Sequence, residues 1–331
     1  MNKNLPNPPR CNSKFHLDKN ENLDKVLKSK IETFVHYNCN INYNSYPDNN
    51  LQLLKNLSIY HGVNIKEIIT TNGSEQALHI LFDSILKEND TVIKWSPTFS
   101  LIDLYIKNNN AKCINLNFKR TENEFIFEKY TSNLEPKIFY IASPNSPTGS
   151  VFVENDLIFL LEKFKKSFFI LDGAYVDYDN DYYINLYLKY DNIIITRSFS
   201  KSWGIAGLRA GYYITKNKNL QNLRPNYAPN FLACDIINYL LINNTIIKDS
   251  IKKLKETKQK FYSFFDIYKI NYIKTYGNYI LFDSNKINFA KLELNILYKS
   301  IYILDTLYIK LSICDDSDFN IIKIFIIDSI I

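Results

Sequence analysis

A chain of 331 residues, 46% of them hydrophobic, can bury a large core and is long for a single one, so global disorder is excluded and two domains are expected. The formal net charge is +6, but the lysines are dispersed and no Lys/Arg block is interleaved with aromatics, which reads as a mildly basic solvated surface with no nucleic-acid footprint. Five widely spaced cysteines (Cys11, Cys39, Cys113, Cys234 and Cys314) argue against a disulfide framework or a zinc site and suit a reducing cytoplasm.

The segment Met1 to Arg10 is polar and lacks the apolar stretch of a signal peptide. Residues 1–45 are expected to form an irregular arm with one short helix. From Glu67 to Thr215 apolar, β-rich runs recur at 67–71, 91–95, 137–142, 168–171, 193–196 and 211–215. Helical patterns lie between several of them. In 74–87, for instance, Ala77, Leu78, Leu81, Phe82 and Ile85 share one face. Continuous apolar strands alternating with helices predict an α/β fold with a mostly parallel central sheet covered on both faces, in a large domain spanning 46–230. Ligands of such sheets gather at the carboxyl ends of the strands. After Pro225 and Pro229 the pattern changes. A helical stretch over about 233–265 leads into a smaller C-terminal α+β domain, 231–331, with strand-like segments at 279–282 and 308–313. The apolar end from Phe319 is broken by Lys323 and Asp328 and follows helical spacing, and no run approaches the ~20 apolar residues that span a bilayer.

Four strand ends carry chemistry. Asp172 closes an apolar run, where a carboxylate is costly unless partnered, and Tyr175 follows three residues later. Taken alone, Asp172 reads equally well as a helix cap or a structural ion pair. The run 193–195 ends in Thr196-Arg197-Ser198-Phe199-Ser200-Lys201, and Arg209 follows; hydroxyls and arginine around a strand end suit a phosphate dianion. Thr71-Asn72-Gly73-Ser74-Glu75 sits at a strand-to-helix junction, where Ser74 reads as an ordinary N-cap, as part of an anion site, or as both, since the two use the same donors. Ser143-Pro144-Asn145-Ser146-Pro147-Thr148-Gly149 forms a proline-fixed loop at a further strand end. Gly204, Gly207 and Gly211 lack dinucleotide-binding spacing. No Gly-x-Ser-x-Gly elbow occurs, and the histidines at 16, 36, 61 and 79 form no metal-spaced pair.

The order and spacing of these blocks resemble the fold type I enzymes dependent on pyridoxal 5'-phosphate (PLP), nearest to the histidinol-phosphate aminotransferases and threonine-phosphate decarboxylases. The likeness runs from about Leu17 to Tyr239, and its most specific piece is Ser198-x-Ser200-Lys201 followed by Arg209. It implies that Lys201 carries the cofactor as a Schiff base, that Asp172 pairs with the pyridine nitrogen, and that Tyr175 bonds the phenolic oxygen. It further implies that Gly73, Ser74, Glu75, Ser198, Ser200 and Arg209 surround the phosphate and that Phe99 stacks on the ring. Tyr46 would reach the cofactor phosphate of a neighbouring subunit, making the active unit a homodimer. Asn20 would lie on the substrate side. Two positions depart from the family. Ser146 stands where the second asparagine of Asn-Asn-Pro-Thr-Gly contacts the cofactor, so either Asn145 substitutes by a small loop shift or the contact is lost. Lys310 stands at the best match to the arginine that grips the substrate carboxylate, and a lysine lacks the bidentate fork. Arg224 or Arg10 are the alternatives for that grip.

The activity implied is that of an aminotransferase moving an amino group between an amino acid such as glutamate and a small phosphorylated amine or ketone. Decarboxylation of a phosphorylated amino acid is the alternative, and a non-catalytic protein of the same fold is the distant one.

Overall fold

The computed structural model describes residues 13–38, 44–46 and 50–331. Residues 1–10, and Cys11, Cys39 and Pro47, lie outside the described residues.

The apolar runs become a seven-stranded sheet. Its strands are β1 (Ile68–Thr71), β2 (Thr91–Trp95), β3 (Lys112–Leu116), β4 (Ile138–Ala142), β5 (Phe168–Asp172), β6 (Ile193–Ser198) and β7 (Gly211–Thr215). Their order is β1-β7-β6-β5-β4-β2-β3. All adjacent pairs are parallel except those of β7, which runs antiparallel to β1 and β6. Alternation explains why these strands read as continuous apolar runs. In β5, Phe169 and Leu171 enter the core on one face, while Ile170 enters the core on the other. The edge strand β3 escapes the sequence pattern because Lys112, Cys113 and Asn115 are exposed.

Helix α1 (Lys25–Asn38) follows the arm. Helices α2 (Leu51–His61), α3 (Gly73–Ile85), α4 (Leu101–Asn108), α5 (Glu154–Lys163) and α6 (Tyr183–Lys189) come before or between the strands. Helices α3 and α4 cover the Ile170 face with Ala77, Leu81, Phe82, Ile102 and Ile106, and α2, α5 and α6 contribute to the cluster on the other face.

The helical stretch expected over 233–265 is two helices, α7 (Phe231–Ile242) and α8 (Thr245–Tyr268). A second sheet of four strands follows, β8 (Tyr272–Ile273), β9 (Tyr279–Asp283), β10 (Lys299–Ile303) and β11 (Thr306–Ser312), in the order β8-β9-β11-β10. The terminal helix α9 covers Phe319–Asp328. Helix α7 buries Ala233, Ile236, Ile237 and Leu240 in the large-sheet cluster, whereas Leu254, Phe261 and Phe265 of α8 join a separate cluster with β9, β11 and α9. On this packing we would divide the cores along α8, between Ile247 and Leu254, later than residue 230.

Candidate active site

Register brings the chemistry to one edge. Ala142 of β4 lies beside Asp172 of β5, Asp172 beside Thr196 of β6, Ser198 beside Gly211 of β7, and Gly211 beside Thr71 of β1. The carboxyl ends of four strands and the start of β7 therefore meet at one place.

Asp172 is buried there. Its Oδ2 accepts from the Tyr140 hydroxyl at 2.8 Å, and its Oδ1 accepts from Ala174 N at 3.1 Å and Thr196 Oγ1 at 3.3 Å. Burial raises its pKa above the ordinary carboxylate value, while these three donors pull it back down. A carboxylate offers about four acceptor positions, so one remains for a further donor.

Lys201 reaches inward from the loop after β6. Its ammonium lies 5.5 Å from the centre of the Tyr175 ring and donates to the carbonyl of Lys19 at 2.8 Å. Asn20, buried and at a positive φ of 55°, donates from Nδ2 to the Tyr175 hydroxyl at 2.8 Å. Its Oδ1 is buried with no hydrogen-bond partner. The backbone N–H of Asn20 is held by Ser312 Oγ at 2.8 Å, two residues along β11 from Lys310. Lys310 is buried, with its ammonium 5.2 Å above the centre of the Tyr279 ring. Tyr279 in turn meets Tyr175 edge-on at 5.8 Å. Burial foremost, then the charges of Lys299 and Lys201, bring the Lys310 pKa down to about 7.

Helix α3 begins at Gly73, and the Asn72 side chain at its cap position makes no capping bond. Gly73 has a φ of +83°, and a Cβ there would lie 3.0 Å from Arg209 Nη2. A Cβ on Gly211 would fall 2.6 Å from both Gly73 C and Ser74 N. Glycine at both positions thus lets backbone and guanidinium close around one point. Arg209 Nη1 donates to Ser200 Oγ at 3.3 Å, and Ser198 Oγ accepts from Ser200 N at 3.1 Å.

A model of the aminotransferase class I and II family matches residues 12–304. The chain belongs to the class I and II aminotransferases. It is 29% identical to a histidinol-phosphate aminotransferase of Clostridium novyi (strain NT), over 87% of this chain and 83% of that protein. Among solved structures, it is similar to a histidinol-phosphate aminotransferase from Clostridium acetobutylicum, with a TM-score of 0.80 at 18% identity over 94% and 98% of the two chains. It is also similar to an L-threonine-O-3-phosphate decarboxylase from Porphyromonas gingivalis, with a TM-score of 0.78 at 19% identity over 95% and 98%.

The cofactor of this aminotransferase is PLP, and the chain's own residues fit it. The uncapped start of α3 under Arg209 suits a phosphate dianion, the open acceptor position of Asp172 suits a pyridinium N–H, and the orphaned Asn20 Oδ1 awaits a donor. Glu75 plays a different part, lying 3.8 Å from Arg209 Nη2, where its carboxylate supports the guanidinium and would repel a phosphate. Phe99 is partly exposed beyond β2.

Three sequence expectations are changed by the geometry. Arg197 faces away from the phosphate cradle because side chains alternate along β6: it pairs with Asp181 at 2.6 Å, and a Cβ on Gly173 would lie 2.0 Å from its Nη1. Arg224 donates to the carbonyl of Ile68 at 3.0 Å, at the start of β1, and so lies at the opposite end of the sheet from the site. It cannot grip a substrate there. Asn145 is taken up between its own loop and the loop that follows β2. Its Nδ2 donates to Pro97 O at 3.0 Å and Thr148 Oγ1 at 2.8 Å, and its Oδ1 accepts from Thr98 at 2.7 Å. The other alternative, Arg10, lies outside the described residues.

Tyr140 and Tyr279 escape sequence reasoning, and Thr196, quoted among the strand-end hydroxyls, proves to serve Asp172. Each sits within a buried strand, where Tyr and Thr are ordinary sheet residues; only tertiary structure brings the Tyr140 and Thr196 hydroxyls to Asp172 and the Tyr279 hydroxyl to the carbonyl of Asn145, at 2.6 Å.

Proposed function

We propose that this aminotransferase exchanges an amino group between glutamate and a small phosphorylated amine or ketone. The observation that carries the reading is the meeting of Lys201, Tyr175 and Asn20 beside Lys310, a buried amine set over an aromatic face and in the field of Lys299 and Lys201, with the Asp18 carboxylate opposing them. Such a group is costly until an anion arrives. The phosphate preference rests on the names of the relatives.

Bound PLP supplies an electron sink for charge developing at the substrate α-carbon. Lys201 would hold the cofactor covalently and, once freed, take the proton from the α-carbon as a general base. Asp172 would keep a proton on the ring nitrogen by offering its remaining acceptor position, and Tyr175 would donate to the phenolic oxygen while accepting from Asn20. Gly73, Ser74, Ser198, Ser200 and Arg209 would hold the phosphate, with Phe99 over the ring. Lys310 would bind the substrate carboxylate as a point charge. We further propose a homodimer in which Tyr46, 76% exposed and stacked on Tyr227 at 4.4 Å, serves the partner's site.

The test is to incubate the purified holoenzyme with 2-oxoglutarate and histidinol phosphate, other phosphorylated amines, or phosphothreonine. Glutamate formation is expected. The match to the decarboxylase makes that reaction the competitor, and CO₂ release without a keto product would reject transamination.

A further inference from the structure

We infer that Tyr140 is a positioning residue for the ring-nitrogen acid, one that holds the Asp172 carboxylate ionised and aimed through a single buried hydrogen bond. This rests on the reading of Asp172 as the partner of the pyridine nitrogen.

Tyr140 lies in the middle of β4, and Ala142, two residues on, is the register partner of Asp172. Residues 140 and 142 share a face, so the phenol leans along the strand through two residues, roughly 6.6 Å at the usual strand rise, to bring its hydroxyl to Asp172 Oδ2. The ring is fully buried, packed edge-on to Phe82 of α3 at 6.1 Å. This packing keeps the ring out of solvent. The other two donors to Asp172 both use Oδ1. Tyr140 is thus the donor that fixes Oδ2, and with it the direction of the acceptor position left for the ring. Burial, followed by the Asp172 charge, pushes the ionisation of the phenol far up, so Tyr140 remains a donor at every working pH. The other groups that bear on the pair are Arg197 of β6, which favours the carboxylate, and Tyr183 of α6, which stays protonated. The Thr98 hydroxyl lies beside the same phenol and donates to Asn145, which ties the acid to the loops that flank the site.

The experiment compares Tyr140→Phe, which deletes one oxygen and leaves the ring packing, with site-specific 3-fluorotyrosine at 140, which keeps the shape and strengthens the donor. Two quantities are read: the Asp172 titration midpoint in cofactor-free protein, by ¹³C NMR of labelled aspartate, and the dissociation constant for PLP. Loss of a hydrogen bond to a charged group predicts that Tyr140→Phe raises the midpoint by about one pH unit and weakens PLP binding by about tenfold, with KM for the amino donor little changed and kcat reduced. Fluorotyrosine should move the midpoint the other way. A purely structural role would not give opposite shifts. An unmoved midpoint in both proteins overturns the proposal and leaves the reading of Asp172 untouched. Should Tyr140→Phe fail to fold, an unmoved midpoint in the fluorotyrosine protein alone overturns it. If Asp172→Asn binds PLP as tightly as the parent, the underlying reading fails and the proposal with it.

Discussion

Lys310 supports a prediction that can be worked through from its surroundings. It is 6% exposed in the middle of β11, and its pKa is brought from 10.5 to about 7, by burial first and then by Lys299 and Lys201, with Asp18 opposing. In the unfolded chain the amine titrates near ~10.4. Between that value and about 7, the unfolded state holds a proton that the folded state gives up. Stability therefore falls as pH drops through this window, and the cost is complete below about pH 7. A gap of roughly three and a half pH units at about 1.36 kcal/mol each puts the full cost near 5 kcal/mol, of which about 4 kcal/mol is present at pH 7, where the folded-state amine is half protonated, and about half of that is gone by pH 9. Lys310→Met keeps a long, flexible apolar chain in the same space. It should be more stable than the parent at pH 7 by a few kcal/mol, with the advantage shrinking by about 2 kcal/mol between pH 7 and 9. Urea unfolding of both cofactor-free proteins at one protein concentration, followed by tryptophan fluorescence, measures this. The same change removes the cation proposed for the substrate carboxylate, so KM for the amino donor should rise by about tenfold or more at neutral pH. Parallel stability curves across the pH range would refute the picture of an amine whose burial outweighs the attraction of Asp18.

Gly73→Ala forces a side chain into a φ of +83° and sets its Cβ 3.0 Å from Arg209 Nη2, so PLP binding should weaken by about tenfold in a titration of cofactor-free protein, with a lower melting temperature. Mixing inactive Lys201→Ala chains with inactive Tyr46→Phe chains should restore activity, because a mixed dimer would contain one intact site; no recovery would count against sharing, provided each change alone is strongly disabling.

The strand runs and the acid at a strand end were legible in the linear chain, because a buried strand must be apolar and a polar residue at its end needs a purpose, while Lys201 stood out through the family resemblance. Gly73 and the hydroxyls around Lys201 were legible for a related reason, since few residue types let a backbone close on a phosphate, whereas the close approach of Gly211 to Gly73 and Ser74 came only with the structure. Tertiary structure decided everything that depends on which strand lies beside which. The antiparallel course of β7 puts Gly211 against Thr71. The register of β4 against β5 turns a core tyrosine into a donor for Asp172. The alternation of β6 sends Arg197 to Asp181, while chain direction leaves Arg224 at the far end of the sheet. Spacing along the chain carries local preference and periodicity, but a contact between residues distant in sequence exists only once the sheet has set its order and register.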